Sequence, residues 1–484
     1  MNTVRVRFAP SPTGFLHVGG LRTALFNYLW ARKNQGAFIL RIEDTDRARE
    51  VPGATENIIT TLKTFGLNFD EGPIKQSDRL DIYQKHIQIL LDKGSAYKCY
   101  CTAERIAELK TAADASKAPF KYDKHCLNNA PYPPLRPRGG EGELKFVVRQ
   151  NIPEQGSVEF DDAVYGHIRV ENRTLDDGVL MKSDGWPVYN FANVVDDHDM
   201  NITHVIRGEE FISSTPKHIL LYQAFGWTPP TFVHLPLLLN KERKKLSKRD
   251  GDVAVKEYLD RGYLPEALLN FISFLGWNPK SEKELFTLEG LVAEFDLKKI
   301  NRAGAVFDAD KLDWFNAQYL RNKSSSELAV LVKPYLPNEA ANFPDEFLAA
   351  VVNIEKDRLK VVSEIGERVR YFFAEPEYDA SLLIWKRSDS NQTIESLKYC
   401  KEIISNVNPP AGGQITKNEI EKTFLDAIGD GDKGTTLWPL RVALSGLTAS
   451  PGPFEILEVF SKLPNGKEII LRRVDAALAK LTKL

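Results

Sequence analysis

Residues 4–42, VRVRFAPSPTGFLHVGGLRTALFNYLWARKNQGAFILRI, change period twice. VRVRFA at 4–9 alternates polar and apolar side chains, the pattern of a strand. LRTALFNYLWARK at 21–33 sets Leu21, Leu25, Tyr28 and Leu29 on one helical face. AFILRI at 37–42 is a short apolar run of the length of a buried strand. Strand, crossover helix and strand make a β-α-β unit, and that connection requires parallel strands. The expected fold is therefore α/β, built on a Rossmann-like parallel sheet. A second amphipathic helix over about 80–93 aligns Leu80, Tyr83, Ile87 and Leu90.

Between the first strand and its helix lies PSPTGFLHVGG, which fits neither G-x-G-x-x-G nor G-x-x-x-x-G-K-[ST]. The helix is expected to start near Gly19 or Gly20, where backbone N–H groups and the helix dipole favour an anion. Gly19 and Gly20 have no Cβ, so a ligand can approach the backbone, and His17 can donate one hydrogen bond to a phosphoryl oxygen. Taken alone, the loop reads equally well as a tight turn with a half-exposed histidine. The second strand runs into RIEDTDR, where Glu43, Asp44 and Asp46 either receive an ammonium group or a metal-bound phosphate, or form a solvated turn. KERKKLSKR at 241–249 holds six Lys or Arg in nine residues after the apolar run FVHLPLLL. It is either a solvated face or a loop of mobile point charges suited to triphosphate.

Composition narrows the class. The 484 residues are 43% hydrophobic and 27% charged with a net charge of −2, so a polyanion must be met by local basic patches. The length suggests about three domains at roughly 100–200 residues each. No apolar run reaches ~18 residues, so no membrane span is expected. The strand pattern begins at once, leaving no room for a leader, and the cytosol is the expected compartment. Three of four cysteines fall between 99 and 126, unlike a secreted disulfide framework.

The chain divides into 1–98 and 189–323, the two halves of the sheet domain, 99–188, an inserted α+β subdomain, and 324–484, an all-helical region. The insertion carries the cysteines, the Pro/Gly-rich PYPPLRPRGGEGE and short alternating strands such as KFVVR. The helical region opens on a capping box, Ser324 with Glu327.

HVGG at 17–20 resembles the HIGH signature, and KLSKR at 245–249 the KMSKS signature, of class I aminoacyl-tRNA synthetases. With RFAPSPTGFLHVGGLRTALFNYLWAR, FILRIEDTDRAR, NVVDDHDMNITHVIRGEE and STPKHILLYQAFGW, the chain resembles the bacterial-type glutamyl-tRNA synthetases, strongly over about 1–325 and more loosely through WPLRVALSG. Glutaminyl enzymes share the catalytic half but carry a β-barrel anticodon portion, so the helical last third favours the glutamyl family.

The resemblance implies that ATP, with Mg2+, activates L-glutamate and that tRNA(Glu) receives it. It implies an anticodon-binding role for 324–484, an acceptor-end role for 99–188 and a monomer. His17 and Lys248 would stabilise phosphate charge, with Lys245 assisting. Gly19, Gly20, Gly208, Glu210, Leu237, Leu238, Ser247 and Lys248 match nucleotide-binding positions. Arg7 and Arg207 match carboxylate-binding positions, where a guanidinium fork can bind two oxygens. Glu43 matches the ammonium acceptor, and Ala9, Ser11, Tyr189 and Asn193 complete the amino-acid site. Some members hold zinc in the insertion on three cysteines and a residue two positions after the last. Here these are Cys99, Cys101, Cys126 and Asn128, a poor zinc ligand, with Tyr122 and His125 nearby. Other classes stay open on the residues alone. A small-molecule nucleotidyltransferase would need neither insertion nor helical third, and a non-catalytic RNA-binding paralogue would have lost one signature. Gly20 stands where HIGH has its second histidine.

Overall fold

The computed structural model of the protein describes residues 3–129, 145–246, 254–279, 281–386, 388–406, 416–429 and 431–484. Strand Arg5–Phe8 lies parallel to Ala37–Ile42 with Arg5 opposite Ala37 and Phe8 opposite Leu40, and helix Val18–Lys33 makes the crossover. The helix starts at Val18 because the His17 side chain accepts the Gly20 N–H and so caps the first turn. Arg32 and Lys33 in its last turn oppose the dipole. Ala37–Ile42 pairs in turn, parallel, with Glu71–Lys75.

On the other side of the first strand the chain returns much later in sequence. The Thr203 N–H donates to the Arg5 carbonyl at 2.9 Å, and the Arg5 N–H donates to Thr203 Oγ1 at 2.9 Å. Thr203 leads into strand His204–Gly208, parallel to Thr231–Leu235, which meets Ser157–Asp162 at Phe232 opposite Asp162. Hairpin strand Gly166–Glu171 closes that edge, antiparallel to Ser157–Asp162. Strand order therefore reverses between Arg5–Phe8 and His204–Gly208, and connections depart in opposite directions at their carboxyl ends. In an open parallel sheet that switch point leaves a crevice for ligand. Ile39, Val158, Met200, Ile202, Val205, Ile219 and Phe232 pack into one core beneath the sheet.

Part of the stretch expected as an insertion, 157–171, thus belongs to the main sheet edge. The rest forms a separate antiparallel sheet of Ala96–Cys99, Val147–Gln150 and Val179–Met181, against which Tyr122 and Cys126 pack. PYPPLRPRGGEGE lies outside the described residues.

Contacts divide the chain into two compact units, residues 1–260 with 265–309, and residues 261–264 with 310–484. Among its described residues the second holds helices and no strand. Ser324 and Glu327 form the expected capping box at helix Ser325–Val332. Arg473, buried in helix Gly466–Leu481, donates to the carbonyls of Leu444, Tyr371 and Ala374 at 2.6, 2.6 and 3.0 Å. One guanidinium so satisfies the carboxyl ends of two other helices. Cys400 is buried in this unit, and burial pushes its thiol up to about 12. Among the described residues no helix is long and apolar enough to cross a membrane.

The join at Thr203 predicts that Thr203→Val, which keeps shape but removes the hydroxyl, lowers stability by about 1–2 kcal/mol in denaturant unfolding, because the Arg5 N–H loses its acceptor.

Candidate functional site

A cavity of about 600 Å3 opens at the switch point. Its lining includes Arg7, Ala9, Ser11, His17, Gly19, Gly20, Glu43, Tyr189, Asn193, Arg207, Gly208, Glu210, Leu237, Leu238 and Lys245, drawn from segments more than two hundred residues apart. Ser247 and Lys248 lie outside the described residues. Arg22, Thr23 and Arg49 also line the cavity, and sequence reasoning missed them.

At the end nearest helix Val18–Lys33, His17 Nδ1 accepts the Gly20 N–H at 3.1 Å, so the ring's hydrogen sits on Nε2. A Cβ at Gly20 would come within 2.7 Å of Leu16 Cδ1, and one at Gly208 would overlap the Glu210 carboxylate. A side chain at either glycine would displace Leu16 or Glu210 from its present position. The opposite wall is the backbone of Pro236, Leu237 and Leu238. Arg22 fixes it by donating to the Pro236 carbonyl at 2.5 Å and to the Leu275 carbonyl at 3.1 Å. Burial lowers the Arg22 guanidinium to about 10, against the pull of Glu210 and Glu209. Glu209 holds the same wall, accepting the Leu237 N–H at 3.0 Å. The residues that flank the basic loop are anchored here. Leu246 N–H donates to the Leu238 carbonyl at 2.8 Å, Ala254 bridges to His17, and Val255 N–H donates to the Leu16 carbonyl at 2.9 Å.

The other end is built of buried charge. Arg7 uses its Nε and Nη2 edge on Asp197, at 2.9 and 3.3 Å. Its fork is thus already engaged, which leaves Nη1 for a ligand and departs from the expected two-oxygen grip. Arg41 donates to Asp197 at 2.8 Å and to Glu43 at 3.1 Å. Burial raises the Glu43 carboxyl, and Arg41 and Arg7 oppose it. Of the acidic turn only Glu43 reaches the cavity. Asp44 accepts from the Ser77 N–H and hydroxyl, and Asp46 pairs with Arg49. Asp196, beside Asp197 on helix Tyr189–Asp199, accepts from Gln76, Arg79 and Tyr83.

Arg207 is buried differently. Its Nε donates to His234 Nε2 at 3.2 Å, Nη2 to Thr215 Oγ1 at 2.8 Å, and Nη1 to the Tyr189 hydroxyl at 3.2 Å and toward His218 Nδ1 at 3.3 Å. Every one of these acceptors is neutral. His234 Nδ1–H donates to Asp162 at 2.6 Å and His218 Nε2–H to Asn190 at 2.9 Å, which fixes both tautomers with the acceptor nitrogen toward Arg207. Burial and Arg207 hold the His218 imidazole well below its usual range. Burial lowers His234 as well, outweighing Asp162. Arg207 therefore brings an uncompensated positive charge to the cavity wall. The Tyr189 hydroxyl, which also accepts from Asn193 at 2.8 Å, keeps its own hydrogen for a ligand because burial raises its pKa.

Arg41, Asp196 and Asp197 escaped the sequence reading. Two signals were present: an arginine inside a buried strand and adjacent acids inside an apolar helix, both of which demand partners.

Away from the cavity, the sulfurs of Cys99, Cys101 and Cys126 lie within 4.8 Å of one another. The Tyr122 hydroxyl contacts Cys99 Sγ at 3.3 Å, Cys101 Sγ at 3.2 Å and the Cys126 N–H at 3.1 Å. Asn128 is exposed, and His125 Nδ1 faces Asn129 at 3.3 Å. Burial would raise the Cys99 thiol, but hydrogen bonds from Tyr122 and Arg149 outweigh it and the thiol is lowered. Burial pushes Cys101 up to about 11.

A family model of the catalytic domain of class I tRNA synthetases (E and Q) matches residues 3–314, and an anticodon-binding-domain model matches 327–478. The chain is 43% identical over 497 residues to a glutamate–tRNA ligase of Clostridium tetani, covering 99% of this chain and 98% of that one. It is 43% identical over 495 residues to the enzyme of the same name from Clostridium acetobutylicum, covering 100% and 99%. Among solved structures it is similar to a glutamate tRNA ligase from Elizabethkingia meningosepticum in complex with its amino acid. That match has a TM-score of 0.86 and 35% identity, with 99% of this chain and 100% of that one covered.

The histidine pair predicts acid sensitivity. Above about pH 6.5 both imidazoles are neutral in folded and unfolded chains and contribute no pH dependence. Below it the unfolded chain takes up protons that the folded chain refuses, so stability falls as pH drops toward the lowered folded values. Unfolding followed from pH 7 to 5 should show this loss, and His218→Gln should make it shallower.

Proposed function

The chain belongs to the class I tRNA synthetases of the E and Q group, and we propose that it joins L-glutamate to tRNA(Glu) in two ATP-dependent steps. The observation that carries this reading is the amino-acid end of the cavity. An uncompensated Arg207 and a free Arg7 Nη1 suit two carboxylates, and Glu43 suits an ammonium group. Glutamine would leave one cation facing a neutral amide, a buried mismatch that disfavours it.

In the first step an oxygen of the glutamate α-carboxylate attacks the α-phosphorus of ATP, and the bond to the bridging oxygen breaks to release diphosphate. In the second, the terminal ribose hydroxyl of tRNA attacks the carbonyl of the mixed anhydride, loses its proton, and AMP leaves. Both steps rest on positioning and charge stabilisation. ATP enters as its Mg2+ complex. The His17 Nε2–H would donate to a phosphoryl oxygen, with Lys245 and Lys248 supplying positive charge as diphosphate departs. Gly19, Gly20, Gly208, Glu210, Leu237, Leu238 and Ser247 would line the nucleotide. Ala9, Ser11, Tyr189 and Asn193 would orient the amino acid. The inserted antiparallel sheet of Ala96–Cys99, Val147–Gln150 and Val179–Met181 would meet the acceptor end and 324–484 the anticodon, with the parallel sheet, including its edge at 157–171, as the catalytic part, in a cytoplasmic monomer.

Three thiols with a fourth oxygen group around them fit a structural zinc site, with Cys99, Cys101, Cys126 and the Tyr122 oxygen as its corners. The ion would tie strand Ala96–Cys99 to the short helix His125–Asn128. Metal analysis of the purified chain should find zinc, reduced in Cys126→Ser; a zinc-free wild type removes this assignment.

The function is tested by ATP–diphosphate exchange with each amino acid, with and without tRNA. Glutamate should support exchange and aspartate and glutamine should not, and the glutamate rate should depend on tRNA. Preference for another amino acid overturns the reading. Lys248→Ala should lower the exchange rate by at least about a hundredfold while leaving tRNA affinity nearly unchanged.

A further inference from the structure

Four charged groups alternate in sign through the floor of the amino-acid end: Arg7, Asp197, Arg41 and Glu43. Their contacts are 2.9 Å from Arg7 to Asp197, 2.8 Å from Asp197 to Arg41 and 3.1 Å from Arg41 to Glu43. All four are buried, with Arg41 at 0% exposure. The outer members, Arg7 and Glu43, line the cavity, whereas the inner members, Asp197 and Arg41, do not.

The row is neutral as a whole but polar along its length. Asp197 occupies one edge of the Arg7 fork, so Arg7 presents a single donor, Nη1. Arg41 occupies Glu43 Oε1, so Glu43 presents Oε2. A free α-amino acid offers the complementary pair, a carboxylate and an ammonium group a few bonds apart. Its second carboxylate, if it has one, is left for Arg207. Without Asp197, Arg7 and Arg41 would face each other as unscreened like charges. Without Arg41, the buried Glu43 would tend to keep its proton and lose its hold on an ammonium. Asp196 also approaches Arg41, at 3.8 Å, but is satisfied by Gln76, Arg79 and Tyr83.

We propose that Asp197 and Arg41 are positioning residues for the amino acid: without touching it, they hold Arg7 as the receiver of a carboxylate and Glu43 as the receiver of its ammonium. This rests on the glutamate reading above.

The test uses the full chain with tRNA, and measures initial rates against glutamate and against ATP for wild type, Asp197→Asn, Arg41→Gln, Arg41→Lys and the double variant D197N/R41Q. Each neutralising single variant should raise KM for glutamate about tenfold or more while KM for ATP stays within about twofold. Arg41→Lys, which keeps the charge, should recover part of the Arg41→Gln loss. The double variant removes one charge of each sign and restores neutrality, so its loss should be clearly smaller than the product of the two singles. Where Arg41→Gln does not fold, Asp197→Asn beside Arg41→Lys carries the comparison, with the larger glutamate effect expected for Asp197→Asn. Glutamate KM values within about twofold of wild type, a parallel rise for ATP, or strictly multiplicative losses overturn the inference. A wild type that does not charge tRNA with glutamate overturns the function and this inference together. A wild type that does, with variants unchanged, overturns this inference alone.

Discussion

Two hydrogen bonds between Arg5 and Thr203 set the geometry of the catalytic unit. They fasten the end of a segment nearly two hundred residues downstream beside the first strand, and the strand that follows runs parallel to it. From that single join, Arg7 and Arg207 come to stand at the carboxyl ends of neighbouring strands. The crossovers leave on opposite sides, so nothing covers the gap between those ends. The loop after Phe8 and the wall formed by Gly208 and Pro236–Leu238 then face each other across the same opening.

The periodicity of residues 4–42 was enough to read the parallel sheet and its crossover helix, because strand and helix periods are local properties of the chain. The cap box at Ser324 was equally local. The floor of the cavity was not legible in the same way. Arg41 to Asp197 spans 156 positions and Arg7 to Asp197 spans 190, and no window of sequence contains both partners. What the sequence did show was the need for partners, in an arginine set within AFILRI and two acids set within NVVDDHD. The cap made by His17 was hidden for a different reason. Histidine is an uncommon N-cap, and the residue read as a donor to a phosphoryl oxygen is also part of the helix start.

Two arginines show how the same side chain can be buried to opposite ends. Arg41 is enclosed by carboxylates, and removing one partner from such a buried pair costs about 3–5 kcal/mol, so it belongs to the permanent structure. Arg207 is enclosed by His234, His218, Thr215 and Tyr189, which orient it without cancelling its charge. Neutral histidines are suited to this because each offers one acceptor nitrogen, and its other nitrogen can be pinned by a separate acceptor. An acid in either place would hold the guanidinium as firmly but would consume the charge. The cavity wall thus carries a cation whose charge its partners do not cancel.

The end of the cavity at helix Val18–Lys33 follows a related logic. His17 Nδ1 is committed to the Gly20 N–H, so this face of the ring belongs to the helix start. A second histidine at Gly20 would bring its Cβ within 2.7 Å of Leu16 Cδ1, so the Leu16 side chain would have to shift. The loop at 10–20 has shape to offer but carries no lysine or arginine. Under the function proposed, the positive charge needed as diphosphate departs must come from across the cavity, where Lys245 lines the wall and the chain enters its most basic segment. The separation lets the two demands be met by different parts: rigidity from a helix start that must not move, and mobile charge from lysines on flexible stems.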